Sequence, residues 1–326
     1  MTSAFPLRRL GATDLRLSPI GLGCWQFSQG QGLMGHYWSV LPQEEIEAII
    51  RAALDGGITW FDTAEAYGGG ASERALAAAL KSLGRTPDDV TVATKWMPVL
   101  RRAKSIEATI GRRLESLGGF RIDLHQIHNP LSVSRLEAQI AGMARLIDAG
   151  RIGSVGVSNF SAPRMARAHA LLAARGRPLA SNQVHYSLLH RKIESNGVLD
   201  EAQRLGVAII AYSPLEQGVL TGRFHDDPAS IRRLHAARRN RAALRPRGLA
   251  KSRPVIEALR EIGARHAATP SQVALNWLVS FHGETVLAIP GASRAAQAKD
   301  NAGALAFALT KDELNHLDRV SAPFKS

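Results

Sequence analysis

Asp62 and Tyr67 stand five residues apart in FDTAEAYG, Lys95 follows in ATKW, and His128 in HQIHNP. Those four residue types suit one task. A hydride delivered to a carbonyl carbon turns the oxygen into an alkoxide, which must be protonated. A tyrosine can supply the proton if its pKa of about 10 is brought down toward neutrality. A neighbouring ammonium does this by favouring phenolate, and a carboxylate keeps the ammonium charged and in place. An imidazole beside the phenol can orient the carbonyl oxygen. Lys95, Asp62 and His128 are the candidates for these three parts. Taken singly, Asp62 reads as a loop cap and Lys95 as a surface lysine at a strand end; only the set points to catalysis.

The set needs elements that bring it together. Short β-rich runs alternate with amphipathic helical stretches along the chain. A hairpin is expected at LRRL and LRL around Gly11–Asp14. Strands follow at IGLGCW, TWFDTA, VTVATKW, IDLHQIH, SVGVSNF, LASNQVHY, VAIIAYSPL and TVLAIPG. Helices are predicted between them over 42–55, 72–82, 105–117, 134–149, 162–174, 198–205 and 270–280, with a last one over 295–301. Eight strand–helix units in 326 residues predict a (β/α)8 barrel, that is, an α/β TIM barrel with an N-terminal β-hairpin and a long loop after the seventh strand. A doubly wound open sheet is the competitor, but no GxGxxG opens a first helix. Polar residues also cluster at strand C-terminal ends: Asp62, Lys95, His128, Ser158 with Asn159, Gln183, and Tyr212 with Ser213. In such a barrel all would face one mouth. His125 falls on the face of Ile127, away from Gln126 and His128, and reads as a core or helix-facing residue. No linker interrupts the pattern, so residues 1–326 read as one domain.

Composition narrows the rest. With 45% hydrophobic residues the chain is globular rather than disordered. No segment approaches the roughly 20 unbroken apolar residues of a membrane span, so no membrane association is expected. The N-terminal stretch has no apolar core of a secretory signal, and a cytoplasmic protein is expected. Cys24 is the single cysteine, which excludes an internal disulfide and a four-cysteine zinc site; no metal is expected. The formal charge of +13 raises nucleic-acid binding. Yet Arg223 to Arg253 alone holds ten basic residues against two acidic, +8 of the +13. No helix-turn-helix, zinc finger or aromatic RNA-binding motif accompanies it, so no nucleic-acid partner is expected. That segment reads as a partly helical loop with exposed arginines. His185 and His190 read as solvated or packing residues. No interface signal stands out, which leaves a monomer or a weak homo-oligomer.

IGLGCW, GGITWFDTAEAYGGGASE, VATKW, IDLHQIHNP, GRIGSVGVSNF, NQVHYSLL, AYSPLEQGVLTGRF and IPGASRAAQAKDN occur in that order, and together the sequence resembles an aldo-keto reductase from the hairpin to about Leu317. GVLTGRF and IPGASR are most similar to the branch of bacterial general-stress and inositol-operon reductases and potassium-channel β-subunits. The resemblance implies a catalytic tetrad of Tyr67, Lys95, Asp62 and His128. It further implies that Ser158, Asn159 and Gln183 hold a nicotinamide carboxamide and that Tyr212 stacks on the ring. By the same resemblance Ser213, Leu215 and Gly218 meet the pyrophosphate, where Arg223 replaces the usual lysine. Gly291, Ser293 and Arg294 then receive an anion, and Gln297 and Asn301 adenine. Ser293 with Arg294, and no acidic residue between Ile289 and Ala298, favours a 2′-phosphate and so NADPH over NADH. Trp25, Trp96 and Asn129 are expected beside the substrate, with His36 to Trp38 as a lid. The function implied is NADPH-dependent reduction of an aldehyde or ketone, a small-molecule carbonyl substrate. A slow NADPH-binding redox sensor and an NAD-preferring alcohol or sugar dehydrogenase are the alternatives.

Overall fold

The computed structural model describes residues 5–32 and 37–326. An antiparallel hairpin opens the chain, β1 (Arg8–Arg9) with β2 (Arg16–Leu17), Arg8 opposite Leu17. Eight parallel strands follow: β3 (Leu22–Gly23), β4 (Trp60–Asp62), β5 (Thr91–Trp96), β6 (Leu124–Ile127), β7 (Ser154–Ser158), β8 (Leu179–His185), β9 (Ala208–Tyr212) and β10 (Val286–Ile289). Each pairs with its sequence neighbour. Bridges Ile20↔Ala288 and Gly23↔Gly291 join the two ends, with Gly21 N–H on Ala288 O at 2.8 Å. The barrel is thereby closed.

Alternation along the strands sorts side chains into two cores. Trp60, Ala93, Leu124, Ile210, Leu287 and Ile289 point into the barrel, and the hairpin's Leu10 and Leu17 join them as a plug. The Trp60 indole N–H anchors that plug on Ser18 O at 2.9 Å. The opposite faces, with Phe61, Val92, Ile127, Val155 and Val157, meet the helices. The same alternation carries past the apolar layer to Asp62, Lys95 and Gln126, two residues beyond Trp60, Ala93 and Leu124.

The helices are α1 (Gln43–Asp55), α2 (Ala71–Ser82), α3 (Lys104–Ser116), α4 (Leu136–Asp148), α5 (Ala162–Ala173), α6 (Val198–Leu205), the single turns α7 (Arg223–Asp226) and α8 (Ala236–Arg239), then α9 (Pro246–His266), α10 (Pro270–Ser280), α11 (Ala295–Gly303) and α12 (Lys311–Ser321). Two were not anticipated. α9 buries Leu249, Val255, Ile256, Leu259 and Ile262 at helical spacing, but Pro254 and the arginines around it hide the pattern. Part of the Arg-rich segment is thus regular helix. α12 has a polar sequence that buries Leu317 and is set by a capping box between Thr310 and Glu313. Among the described residues, no helix is long and apolar enough to cross a membrane.

Candidate active site

At the C-terminal mouth of the barrel the four residues meet, Asp62 and Tyr67 from the end of β4 and the loop after it, Lys95 from β5 and His128 just past β6. Lys95 is fully buried, and its ammonium donates to Asp62 Oδ1, to Thr63 O at 2.9 Å and to the Tyr67 hydroxyl at 3.5 Å. Asp62 Oδ2 accepts from Gln126 Nε2 and Gln183 Nε2, each at 2.9 Å. The carboxylate therefore has three donors, the compensation a buried charge requires. Gln126 was not singled out from the sequence, although it shares the face of His128. The His128 ring stands edge-on to Tyr67, centroids 5.7 Å apart at 81°.

Two local devices aim Tyr67. Gly68 has φ +69°, and a Cβ there would lie 2.2 Å from Ser28 O, so the turn after the phenol admits only glycine. Glu65, buried two residues before Tyr67, takes the Met97 N–H and Arg101, and Arg113 at 2.8 Å, which ties the loop to the next strand end.

Electrostatics sets the protonation states. Burial opposes the Lys95 charge, but Asp62 and Tyr67 outweigh it and raise its pKa. Burial also raises the Tyr67 pKa above its ordinary value; Lys95 pulls it down, Asp62 pushes it up, and the balance stays upward. The expectation that Lys95 brings the phenol toward neutrality does not describe this state, because burial outweighs the ammonium's pull and Asp62 adds to burial. Tyr67 is a phenol at neutral pH. Burial and Lys95 hold His128 down to about 3, a neutral imidazole whose Nδ1 has no partner among the described residues.

A cleft of about 820 Å³ opens from this group. It is lined by Ser158, Asn159, Gln183, Tyr212, Ser213, Leu215, Gly218, Arg223, Gly291, Ser293, Arg294, Gln297 and Asn301, every residue expected at a dinucleotide. Ser158 Oγ donates to Gln183 O at 2.9 Å, and Tyr212 OH to Asn159 Oδ1 at 3.0 Å. Since Asp62 engages the Gln183 amide N–H, the oxygen of that side chain is left to accept. Tyr212 stacks on His185, centroids 5.4 Å apart at 11°. His185 in turn stacks on His190 at 3.9 Å and bonds Glu216, which also meets Arg241 at 3.4 Å. The ligand atoms of His185, His190 and Glu216 lie within 4.8 Å of one another. Cofacial imidazoles do not converge their in-plane lone pairs, so this arrangement is a pedestal under Tyr212.

The remaining lining fits a dinucleotide's anions. Arg223 and Arg294 have no carboxylate partner among the described residues, and burial together with Arg294 holds the Arg223 pKa below its ordinary value. Gly218 has φ +97°, and a Cβ there would press to 3.3 Å on the Arg223 guanidinium, filling the cradle. Ser293 Oγ and N–H both donate to Gln297 Oε1 at the start of α11. Two acidic groups reach this end: Asp300 of α11 lines the cleft, and Glu45 of α1 accepts the Ala295 N–H at 3.0 Å. The reading of residues 289–298 as free of acid holds in sequence and fails in space, because α1 packs on α11.

Trp25 and Asn129 line the cleft; Trp96 does not. With Lys95 facing inward, Trp96 turns outward, where its indole N–H donates to Ser105 at 3.0 Å. Of the expected lid, His36 lies outside the described residues, while Tyr37 and Trp38 line the cleft beside Trp25.

The barrel and its mouth define the class, an α/β-barrel oxidoreductase of carbonyl compounds. The chain belongs to the Aldo/keto reductase family, whose sequence profile matches residues 19–322. It is 37% identical over 315 residues to an oxidoreductase of Mycobacterium tuberculosis, covering 95% of this chain and 91% of that one. It is 32% identical to a chloroplastic pyridoxal reductase of Arabidopsis thaliana, covering 96% and 86%. Among solved structures, a glycerol dehydrogenase from Gluconobacter oxydans superposes with a TM-score of 0.83 at 26% identity, covering 98% and 96%. Enzymes of this family use nicotinamide cofactors.

Proposed function

We propose that this chain is an NADPH-dependent reductase of aldehydes or ketones, acting on a small-molecule substrate in the cytoplasm with no nucleic-acid partner. One observation carries the reading: a protonated Tyr67, an ammonium–carboxylate pair and a neutral His128 share one end of a cleft whose other end holds Arg223, Ser293 and Arg294. The cofactor, when bound, supplies the hydride. His128 positions the carbonyl oxygen against the Tyr67 hydroxyl, and Tyr67 gives that oxygen its proton. Lys95 steadies the phenolate left behind, and Asp62, locked by Gln126 and Gln183, keeps Lys95 charged. Ser158, Asn159 and the Gln183 oxygen hold the carboxamide, while Tyr212 on its pedestal backs the ring. The relatives' names, a pyridoxal reductase and a glycerol dehydrogenase, support carbonyl–alcohol interconversion.

Tyr67→Phe removes the proton and little volume. It is expected to bind NADPH with unchanged affinity by fluorescence titration and to lose about a thousandfold in kcat toward aldehydes. Parental turnover in that variant would refute the mechanism. An NADH preference is the second reading, and Glu45 beside Ala295 is the observation that favours it.

A further inference from the structure

We propose that the cleft selects planar aromatic carbonyl compounds that carry an anionic group, and that Arg238 receives the anion. This rests on the carbonyl-reductase reading.

The wall beside the reacting end is aromatic. Trp25 stacks on Tyr37 at 4.7 Å and 14°, and its ring lies 6.1 Å from Tyr67 at 26°. Trp38 stands edge-on to both, at 5.9 and 5.5 Å. The π-faces thus begin at the phenol that would protonate the substrate and run outward from it. Flat faces of this kind favour a planar ligand.

At the far end of the wall sits a cation without a counterion. The Arg238 guanidinium lies 4.2 Å over the Trp38 ring. It donates once, to Gln217 O at 3.3 Å, and its buried Nε has no acceptor. No carboxylate meets it among the described residues. Of the neighbouring cations, Arg241 meets Glu216, while Arg223 and Arg294 line the dinucleotide end. Burial, with Arg223 and Arg241 nearby, holds the Arg238 pKa below its ordinary value despite Tyr37, as expected of a cation short of negative charge. An unfilled, partly desolvated guanidinium is costly until a carboxylate or phosphate takes its fork of N–H groups. Trp38 and Trp25 link it to Tyr67 through contacts of 4.2, 5.9 and 6.1 Å, and the proposed substrate presents its carbonyl to Tyr67 and its anion to Arg238.

The test compares 4-carboxybenzaldehyde with its methyl ester, which keeps the ring and loses the charge. The parent enzyme is expected to favour the acid about tenfold in kcat/KM, the scale of one charge-assisted hydrogen bond. Arg238→Gln should bring that ratio near one, and Arg239→Gln, at an exposed neighbour, should keep it. A parent without the preference, a preference that survives Arg238→Gln, or a loss of NADPH affinity in that variant overturns the proposal. If neither aldehyde is turned over, the reductase reading fails by itself. Quenching of tryptophan fluorescence by monomethyl terephthalate then still decides the anion site, since the parent should bind it at least tenfold more tightly than Arg238→Gln.

Discussion

Glu45 is a single residue at which the proposed cofactor choice can be tested. Its carboxylate takes the first N–H of α11, beside the Ser293 and Arg294 that would hold a 2′-phosphate. Arg294, at the N-cap, makes no side-chain cap, so Glu45 serves as the cap from another helix. A carboxylate about 4 Å from a phosphate costs on the order of 1 kcal/mol at the dielectric of water. Glu45→Gln keeps an oxygen for the Ala295 N–H and removes the charge. We expect it to improve NADPH affinity about fivefold with NADH affinity unmoved, read by fluorescence titration; equal effects on both would make Glu45 a cap and nothing more. Sequence reading could not reach this residue, because nothing in a linear window says that α1 will lie on α11. The tetrad was legible for the opposite reason. Asp62, Lys95 and His128 sit at or just past strand ends and Tyr67 in the loop after β4, and the closed barrel sends every strand end to one mouth.

Elements whose polarity follows their period were legible, and those fixed by capping or interrupted by proline were not. α12 is the second kind. Its Thr310 Oγ1 accepts the Glu313 N–H at 3.3 Å, and Glu313 Oε2 accepts the Thr310 N–H at 2.9 Å. Glu313 also receives Arg265 at 3.2 Å and His266 at 2.9 Å, which pins α12 to the end of α9. Burial opposes the Glu313 charge, but these donors overcome it and bring its pKa down to about 2. The sign follows by linkage. A carboxyl depressed in the folded state stabilises it above the ordinary glutamate range, and that contribution drains away as pH falls through 4.5 toward 2. Glu313→Ala should therefore lower stability at pH 7 by about 1 kcal/mol, the worth of a cap. In thermal melts the gap to the parent should close on acidification toward pH 2; a gap independent of pH would mean the side chain acts by volume alone. α9 shows the same limit in another form. Its apolar stripe is regular, but Pro254 and four arginines hide it, so its start reads only as part of a partly helical loop.

Across the whole molecule the question is where the surplus of positive charge lies. On the outer helices arginines meet acids: Arg145 with Glu107, Arg167 with Glu137, Arg204 with Glu201, Arg260 with Asp226. At the mouth Arg223, Arg238 and Arg294 have no such partner among the described residues. These three are a minor part of the +13: Arg232, Arg233, Arg239, Arg245, Arg247, Lys251 and Arg253 are exposed, so most of the surplus lies on the surface, while the unpaired cations of the cleft draw small anions into one place. Screening measures the share of the cleft. Raising NaCl from about 50 to about 500 mM should weaken NADPH binding severalfold, and NADH binding less, because NADH lacks the 2′-phosphate. Equal slopes for the two cofactors would place the 2′-phosphate away from Arg294.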